Sequence, residues 1–211
     1  EGDDYWPKNK LENQIRGFSD TNVGVVWGDG EILIDGKISP LRGYTGNFQE
    51  STLQNDPLGI GLKALIFSHY FKMPTISVMY RREILDSIGG FYQPARCSWN
   101  DKSTWAVLAC VTKFAYLNQS LGIYRRHPSQ VTNDWRDPKT TFEYILDDKE
   151  CPQILRAELS KIESETRLFL AYRVFSRSAG IQKSSALINL VFKAVTSPIA
   201  AFNIMQFMLT K

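Results

Sequence analysis

Apolar residues in the first 125 positions follow two periods, one typical of strands and one typical of helices. β-branched runs predict strands, and Gly28-Asp29-Gly30 supplies turn residues between two of them. Pro7 suits a first helical position, and Gly89-Gly90 suits the end of a helix. Strands are predicted at 22–27, 31–34, 75–79, 114–117 and 121–124, helices at 7–18, 61–71, 81–88 and 101–112, and loops at 39–56 and 91–100. Because strands and helices alternate, the pattern predicts an α/β fold.

The pattern changes after Pro138. Apolar residues between 155 and 175 are spaced by three and four, which predicts one long amphipathic helix ending at Gly180. Residues 186–209 contain one charge, Lys193, and Pro198 divides them into two helices that pack on the domain or lie on a membrane surface. We therefore divide the chain into an α/β part, residues 1–137, and a helical extension, residues 138–211.

The composition is that of a folded globular protein, with 43% hydrophobic and 22% charged residues. The formal net charge is only +3 and no concentrated basic stripe is present, so a nucleic-acid partner is not expected. The three cysteines are an odd number without metal-site spacing, so neither a disulfide framework nor a zinc site is expected, and a reducing, cytoplasmic setting is favoured. The first residues do not resemble a signal peptide.

Three carboxylates, Glu1, Asp3 and Asp4, lie within the first four residues. Carboxylates this close repel one another unless a cation neutralises them, and Mg²⁺ or Mn²⁺ prefers such oxygen ligands. The alternative is an exposed acidic turn whose negative charge suits the start of the next helix.

Two later segments are candidates for chemistry. Asp101 follows a loop and begins a predicted buried helix, where it could act as a general base, although Asn100-Asp101 could also simply cap that helix. Arg125, Arg126 and His127 follow a predicted strand and suit a phosphate or a metal-bound phosphate. The alternative is a solvated basic strand end.

Taken in order, these segments resemble the family 2 glycosyltransferases, which are GT-A type enzymes. The similar segments are Glu-Gly-Asp-Asp-Tyr-Trp at 1–6, Ser-Val-Met-Tyr-Arg-Arg-Glu-Ile-Leu-Asp-Ser-Ile-Gly-Gly-Phe at 77–91, Asn-Asp at 100–101 and Tyr-Arg-Arg-His at 124–127. The resemblance covers about residues 1–133. It implies an inverting enzyme that moves a sugar from a nucleotide-sugar to an acceptor hydroxyl in cell-surface polysaccharide or glycan synthesis, with a divalent cation, Mn²⁺ or Mg²⁺, as cofactor.

The resemblance also implies a role for each matching residue. Asp101 would be the catalytic base. The metal would be held by Asp3, with Glu1, Asp4 and His127 nearby, and the nucleotide diphosphate would be bound by Asp3, Arg125, Arg126 and His127. Acceptor binding would involve Trp6, Gly89, Gly90, Phe91 and Asn100.

The sequence departs from the family in several ways. Glu1 stands where the family more often has Asp, and Asn100 replaces an acidic neighbour of the base. Gln-x-x-Arg-Trp does not occur, which predicts a non-processive enzyme. The family's N-terminal strands precede the acidic turn, so we expect a partial GT-A fold and no turnover by this polypeptide alone.

The implied partners are a nucleotide-sugar, with a UDP-sugar favoured, and a glycan or lipid-linked acceptor. Contact of residues 181–211 with the inner face of the membrane and a homo-oligomer are further expectations. The alternative function is a non-catalytic scaffold or membrane-surface assembly module with the same fold.

Overall fold

The computed structural model describes residues 3–41, 73–130, 140–177 and 180–209. It divides into two compact units, Glu1–Cys151 and Pro152–Lys211. The N-terminal unit contains α1 (Lys10–Arg16), β1 (Val23–Ile34), β2 (Lys37–Pro40), a 3-10 turn (Thr75–Ser77), β3 (Met79–Tyr80), α2 (Arg82–Ser87), α3 (Asp101–Leu108), β4 (Lys113–Arg125) and α4 (Thr141–Asp147). The C-terminal unit contains α5 (Gln153–Lys161), α6 (Glu163–Arg177), α7 (Gly180–Thr196) and α8 (Pro198–Leu209).

β1 is the central strand of a small mixed sheet. It pairs antiparallel with β2 and β3 and parallel with β4. Val25, Val26 and Trp27 of β1 are almost completely buried. The second half of α3, from Trp105 to Leu108, and Phe114 of β4 contribute further apolar side chains to the interior. Strands and helices therefore form an α/β unit, as the sequence predicts.

The predicted turn at Gly28-Asp29-Gly30 is wrong, because β1 continues through it. Gly28 lies so close to β4 that an added Cβ would be 2.6 Å from Leu121 Cδ1 and 2.8 Å from the carbonyl oxygens of Leu117 and Gln119. The β1–β4 register also shifts here, and β4 runs unbroken where two strands were predicted. The glycine therefore permits close packing at a strand irregularity and does not reverse the chain.

The hairpin between β1 and β2 turns at Asp35-Gly36. Both residues have positive φ, 48° and 76°, as two-residue hairpins with right-handed strand twist require. β2 itself, Lys37–Pro40, was not predicted, because its exposed residues carry no apolar alternation. The strand predicted at 75–79 is instead the 3-10 turn followed by the two-residue β3.

α4 extends the N-terminal unit beyond the boundary predicted at 137/138. Thr140 and Glu143 form a capping box at its start, and the Trp99 indole donates to Thr141 Oγ1 at 2.6 Å. Tyr92 Oη donates to Asp148 Oδ2 at 2.7 Å. These contacts connect residues 140–151 to the α/β unit, so the boundary lies between Cys151 and Pro152.

The helical extension contains shorter helices than predicted. The single helix expected over 155–175 is interrupted at Ile162, which leaves helical geometry with φ −122° and ψ 22°. Gly180 begins α7. Pro198 separates α7 from α8, as predicted, and is the first residue of α8. In the described part of the chain, no helix combines the length and apolar content that a bilayer crossing requires.

Candidate functional site

The acidic N-terminal segment lies antiparallel beside the end of β4. Tyr5 N donates to Ile123 O at 3.0 Å, and Ile123 N donates to Tyr5 O at 2.9 Å. Asp4 Oδ1 accepts a hydrogen bond from the backbone amide of Arg125 at 3.0 Å. The acidic turn is thereby fixed next to the Arg-Arg-His segment that follows β4.

Asp3 and His127 meet at this point, although they are 124 residues apart in sequence. His127 Nε2 lies 2.7 Å from Asp3 Oδ2, and both side chains remain about one third exposed. The hydrogen bond from His127 is the main reason that the pKa of Asp3 is lowered, and the charges of His127 and Arg125 act in the same direction. Because Asp3 Oδ2 and His127 Nε2 are hydrogen-bonded to each other, a cation would bind between them only in place of the shared proton.

Gln130 holds the His127 backbone in place. Its Oε1 accepts from His127 N at 3.3 Å, and its Nε2 donates to Arg125 O at 2.7 Å. The imidazole Nδ1 lies 3.0 Å from Ser129 Oγ. Gln130 was not predicted as a site residue. The only feature of the sequence that could have indicated its role is its position three residues after His127.

Asp4 and Arg125 differ from Asp3 in their surroundings. Burial raises the pKa of Asp4, with the Arg125 amide and guanidinium acting in the opposite direction. Arg125 Nε is buried and has no hydrogen-bond partner among the described residues. Arg126 is exposed, and its backbone amide donates to Leu33 O at 2.9 Å, which extends the β1–β4 pairing.

Asp101 is the first residue of α3. Its Oδ2 accepts from Thr75 Oγ1 at 3.0 Å, and its Oδ1 accepts from Lys102 N at 2.7 Å. Thr75 precedes Ile76, which packs so tightly against Gly122 of β4 that an added Cβ would be 2.5 Å from Ile76 Cγ1. Asp101 is therefore connected through the 3-10 turn to the part of β4 beside which the acidic segment lies.

A second pair of polar groups lies next to Asp101 in α3. Trp105 Nε1 donates to Tyr80 Oη at 2.8 Å. Burial, and to a smaller extent the charge of Asp101, raises the pKa of Tyr80 to about 12. Tyr80 is in turn in edge contact with Phe91, a predicted acceptor residue that is exposed.

The other predicted acceptor residues have clear structural environments. Gly89 and Gly90 have φ of 85° and 92°. Their backbone amides donate hydrogen bonds to Asp86 O and Leu85 O, respectively, and so cap the C-terminal end of α2. Asn100 occupies the N-cap position of α3, but its side chain makes no capping hydrogen bond. Trp6 is exposed beside the acidic turn.

Lys10 and Gln14 form a buried polar pair that the sequence analysis missed. Lys10 Nζ donates to Gln14 Oε1 and lies 4.8 Å from the centre of the Trp6 ring. Gln14 Nε2 donates to Val26 O at 3.1 Å and Ser77 O at 2.7 Å. Burial lowers the pKa of Lys10 to about 8. Lys and Gln are normally surface residues, so composition alone gives no signal for this pair.

Several predicted features lie outside the described residues: Glu1, most of the loop at 39–56 and the helix at 61–71. Among the residues that are described, no group of three or more His, Cys, Asp or Glu side chains converges as a metal site. Asp3 and His127 therefore offer two donors, with Asp4 partly committed to the Arg125 amide.

The chain matches no protein-family model. No curated protein is significantly similar to it.

Proposed function

We propose that this chain is the acceptor-side part of a family 2, GT-A type glycosyltransferase, which moves a sugar from a nucleotide-sugar to an acceptor hydroxyl by inverting, non-processive transfer. The observation that supports it most is the contact between Asp3 and His127. The resemblance assigns both residues to the metal and diphosphate, and they belong to opposite ends of the α/β unit's sequence. Arg125, assigned to the same diphosphate, lies beside them.

The donor set suits an ion that takes few protein ligands. Mg²⁺ and Mn²⁺ are commonly held by one or two protein groups, with phosphate oxygens and water completing the coordination. Asp3 Oδ2 and His127 Nε2 would supply those protein groups, and the ion when bound would stabilise negative charge on the departing diphosphate. Arg125 would add a positive charge at the same place.

Asp101 would remove the proton of the acceptor hydroxyl as that oxygen attacks the anomeric carbon. The hydrogen bonds from Thr75 Oγ1 and Lys102 N orient its carboxylate at the start of a buried helix. One carboxylate is sufficient, because a nucleotide diphosphate leaves without general-acid assistance, unlike the leaving group of a glycosidase. Phe91 and Trp6, both exposed, would contact the acceptor.

The first test concerns only residues of this chain. Isothermal titration with Mn²⁺ in the presence of inorganic pyrophosphate should detect binding that Asp3→Asn and His127→Ala each weaken by about tenfold or more, since each removes one ligand of a small set. Asp86→Asn, which changes an exposed carboxylate in α2, is the matched control and should bind as the unaltered chain does.

Two results would contradict the proposal. One is the absence of any Mn²⁺-dependent pyrophosphate binding, which would favour the scaffold alternative. The other is binding that persists equally in Asp3→Asn, His127→Ala and the control.

A further inference from the structure

α7 and α8 expose a row of large apolar side chains. On α7, Ile188, Val191, Phe192 and Val195 follow the spacing of one helical face and are 52–72% exposed. Ile199, Phe202 and Met205 of α8 are 53–77% exposed. We call these seven residues the α7–α8 apolar face.

The side of each helix away from this face is turned into the C-terminal unit. Ala186 of α7 and Ala200 of α8 are buried, while the seven larger side chains of the α7–α8 apolar face are exposed. α6, α7 and α8 pack on one another. A helix that buries alanine and exposes phenylalanine, isoleucine and valine is the reverse of a typical surface helix, so the apolar face needs an apolar environment.

The charge of this part of the chain is strongly one-sided. No Asp or Glu occurs from Thr166 to the last residue. The same stretch contains six cationic residues: Arg167, Arg173, Arg177, Lys183, Lys193 and Lys211. The remainder of the chain is therefore acidic on balance, since the net charge of the whole is +3.

We propose that the α7–α8 apolar face lies in the surface of an anionic lipid bilayer, parallel to its plane. Apolar side chains enter the boundary between headgroups and acyl chains, and the Lys and Arg residues of the same stretch of sequence interact with anionic headgroups. This role is independent of the proposed transferase chemistry, because it uses none of the residues near Asp3, His127 or Asp101.

The charge of this segment favours an anionic lipid surface, and not a second copy of the chain, as the partner that covers the α7–α8 apolar face. Two copies that met through this face would bring together two segments that are each cationic and lack carboxylates. Like charges oppose that association, whereas an anionic membrane attracts both the charge and the apolar face.

The test is vesicle co-sedimentation of the full chain. We expect binding to vesicles of phosphatidylcholine that contain roughly 30% phosphatidylglycerol, because the anionic headgroups give the vesicle a negative surface potential. Binding to pure phosphatidylcholine should be much weaker. Raising NaCl from about 0.05 to about 0.5 M should reduce binding to the anionic vesicles, because salt screens the headgroup attraction.

The double variant Phe192→Ser/Ile199→Ser should bind the anionic vesicles about tenfold more weakly or worse, because it removes two large side chains from the buried apolar area. Ile15→Ser is the matched control: Ile15 is 65% exposed on α1 in the other unit. Circular dichroism should show equal helix content in both variants, since all three positions are exposed.

Three outcomes would overturn the proposal. The chain fails to bind either vesicle type, the double variant binds as tightly as the control, or binding does not depend on lipid charge. Sedimentation velocity tests the alternative that a second copy of the chain covers the α7–α8 apolar face. If the chain forms a dimer that the same double variant dissociates, and if it does not bind vesicles, the face is assigned to a second copy.

Discussion

The N-terminal and C-terminal units place their unusual side chains in opposite ways. The N-terminal unit buries polar groups: Lys10 is 2% exposed, and Gln14 and Ser77 are fully buried. The C-terminal unit exposes apolar groups, with Ile188 and Ile199 more than two thirds exposed. Each choice costs stability in isolation, since buried polar groups must find partners and exposed apolar groups remain in water.

The difference is consistent with the two separate proposals made for these units. Hydrogen bonds between residues distant in sequence fix the polar groups of the N-terminal unit, such as Gln14 with Ser77 and Asp3 with His127. Such fixed polar groups suit chemistry on a small ligand, which depends on position to within fractions of an ångström. The apolar face of α7 and α8 offers area without directional contacts, which suits a fluid surface.

The largest effect should come from Asp101, the proposed base. Asp101→Asn keeps the shape: its one carboxamide oxygen can accept from Lys102 N while its Nδ2 donates to Thr75 Oγ1, but it cannot take the acceptor proton. In an active enzyme that contains this chain, we expect the transfer rate to fall by about 10²–10⁴-fold, the usual contribution of a general base. Steady-state kinetics with a nucleotide-sugar and its acceptor measures this change.

Donor affinity separates loss of the base from loss of structure. Mn²⁺-dependent pyrophosphate binding should be nearly unchanged in Asp101→Asn, because the carboxylate of Asp101 hydrogen-bonds with Thr75 and Lys102 and is not one of the proposed ion ligands. Asp86→Asn is again the control for a lost exposed carboxylate. Turnover retained in Asp101→Asn would remove Asp101 from the mechanism.

The next effect concerns the close packing at the centre of the N-terminal unit. Gly28→Ala places a Cβ within 2.8 Å of two backbone carbonyl oxygens and 2.6 Å from Leu121 Cδ1. The carbonyls cannot move without separating β1 from β4, so the free energy of unfolding should fall by about 2–3 kcal/mol. Urea denaturation measures it, and Ser39→Ala on the exposed strand β2 should change it by less than about 0.5 kcal/mol. A Gly28→Ala protein as stable as Ser39→Ala would contradict the packing.

The elements that the sequence predicts well are those with a local cause. Pro198 and Gly89-Gly90 act through their own backbone geometry, and the structure places helix boundaries at both. The turn predicted at Gly28 was wrong because glycine permits close packing as well as turns. The β4 backbone that approaches Gly28 is about 90 residues away in sequence. The same residue type thus has a local and a non-local use that sequence alone does not separate.

The candidate site divides in the same way. The sequence identifies Asp3, His127 and Asp101 as chemically capable residues, because their types and order resemble a known family. It does not reveal that Gln130 holds His127, that Thr75 holds Asp101, or that Lys10 is buried. Those partners are ordinary polar residues whose role depends on distant contacts.

The smallest effect tests whether the burial of Lys10 costs stability. Its pKa is lowered to about 8 from the usual 10.5, because burial disfavours the charged form. Below pH 8 both the folded and the unfolded chain bind the proton, so the cost is present in full. Between about pH 8 and 10.5 only the unfolded chain keeps the proton, so the free energy of unfolding should increase with pH, by roughly 2 kcal/mol over that interval.

Comparison of variants isolates this contribution from other groups that titrate at high pH. For each protein, the free energy of unfolding at pH 7 is subtracted from that at pH 10.5. This pH-dependent change should be about 2 kcal/mol more positive in the unaltered chain than in Lys10→Met, which has no ammonium to bury. Lys8→Met, which changes an exposed lysine two residues earlier, should behave as the unaltered chain. Equal pH dependence in all three proteins would mean that the Lys10 ammonium remains hydrated. The comparison between a unit that buries polar groups and a unit that exposes apolar groups would then depend on the uncharged residues Gln14 and Ser77.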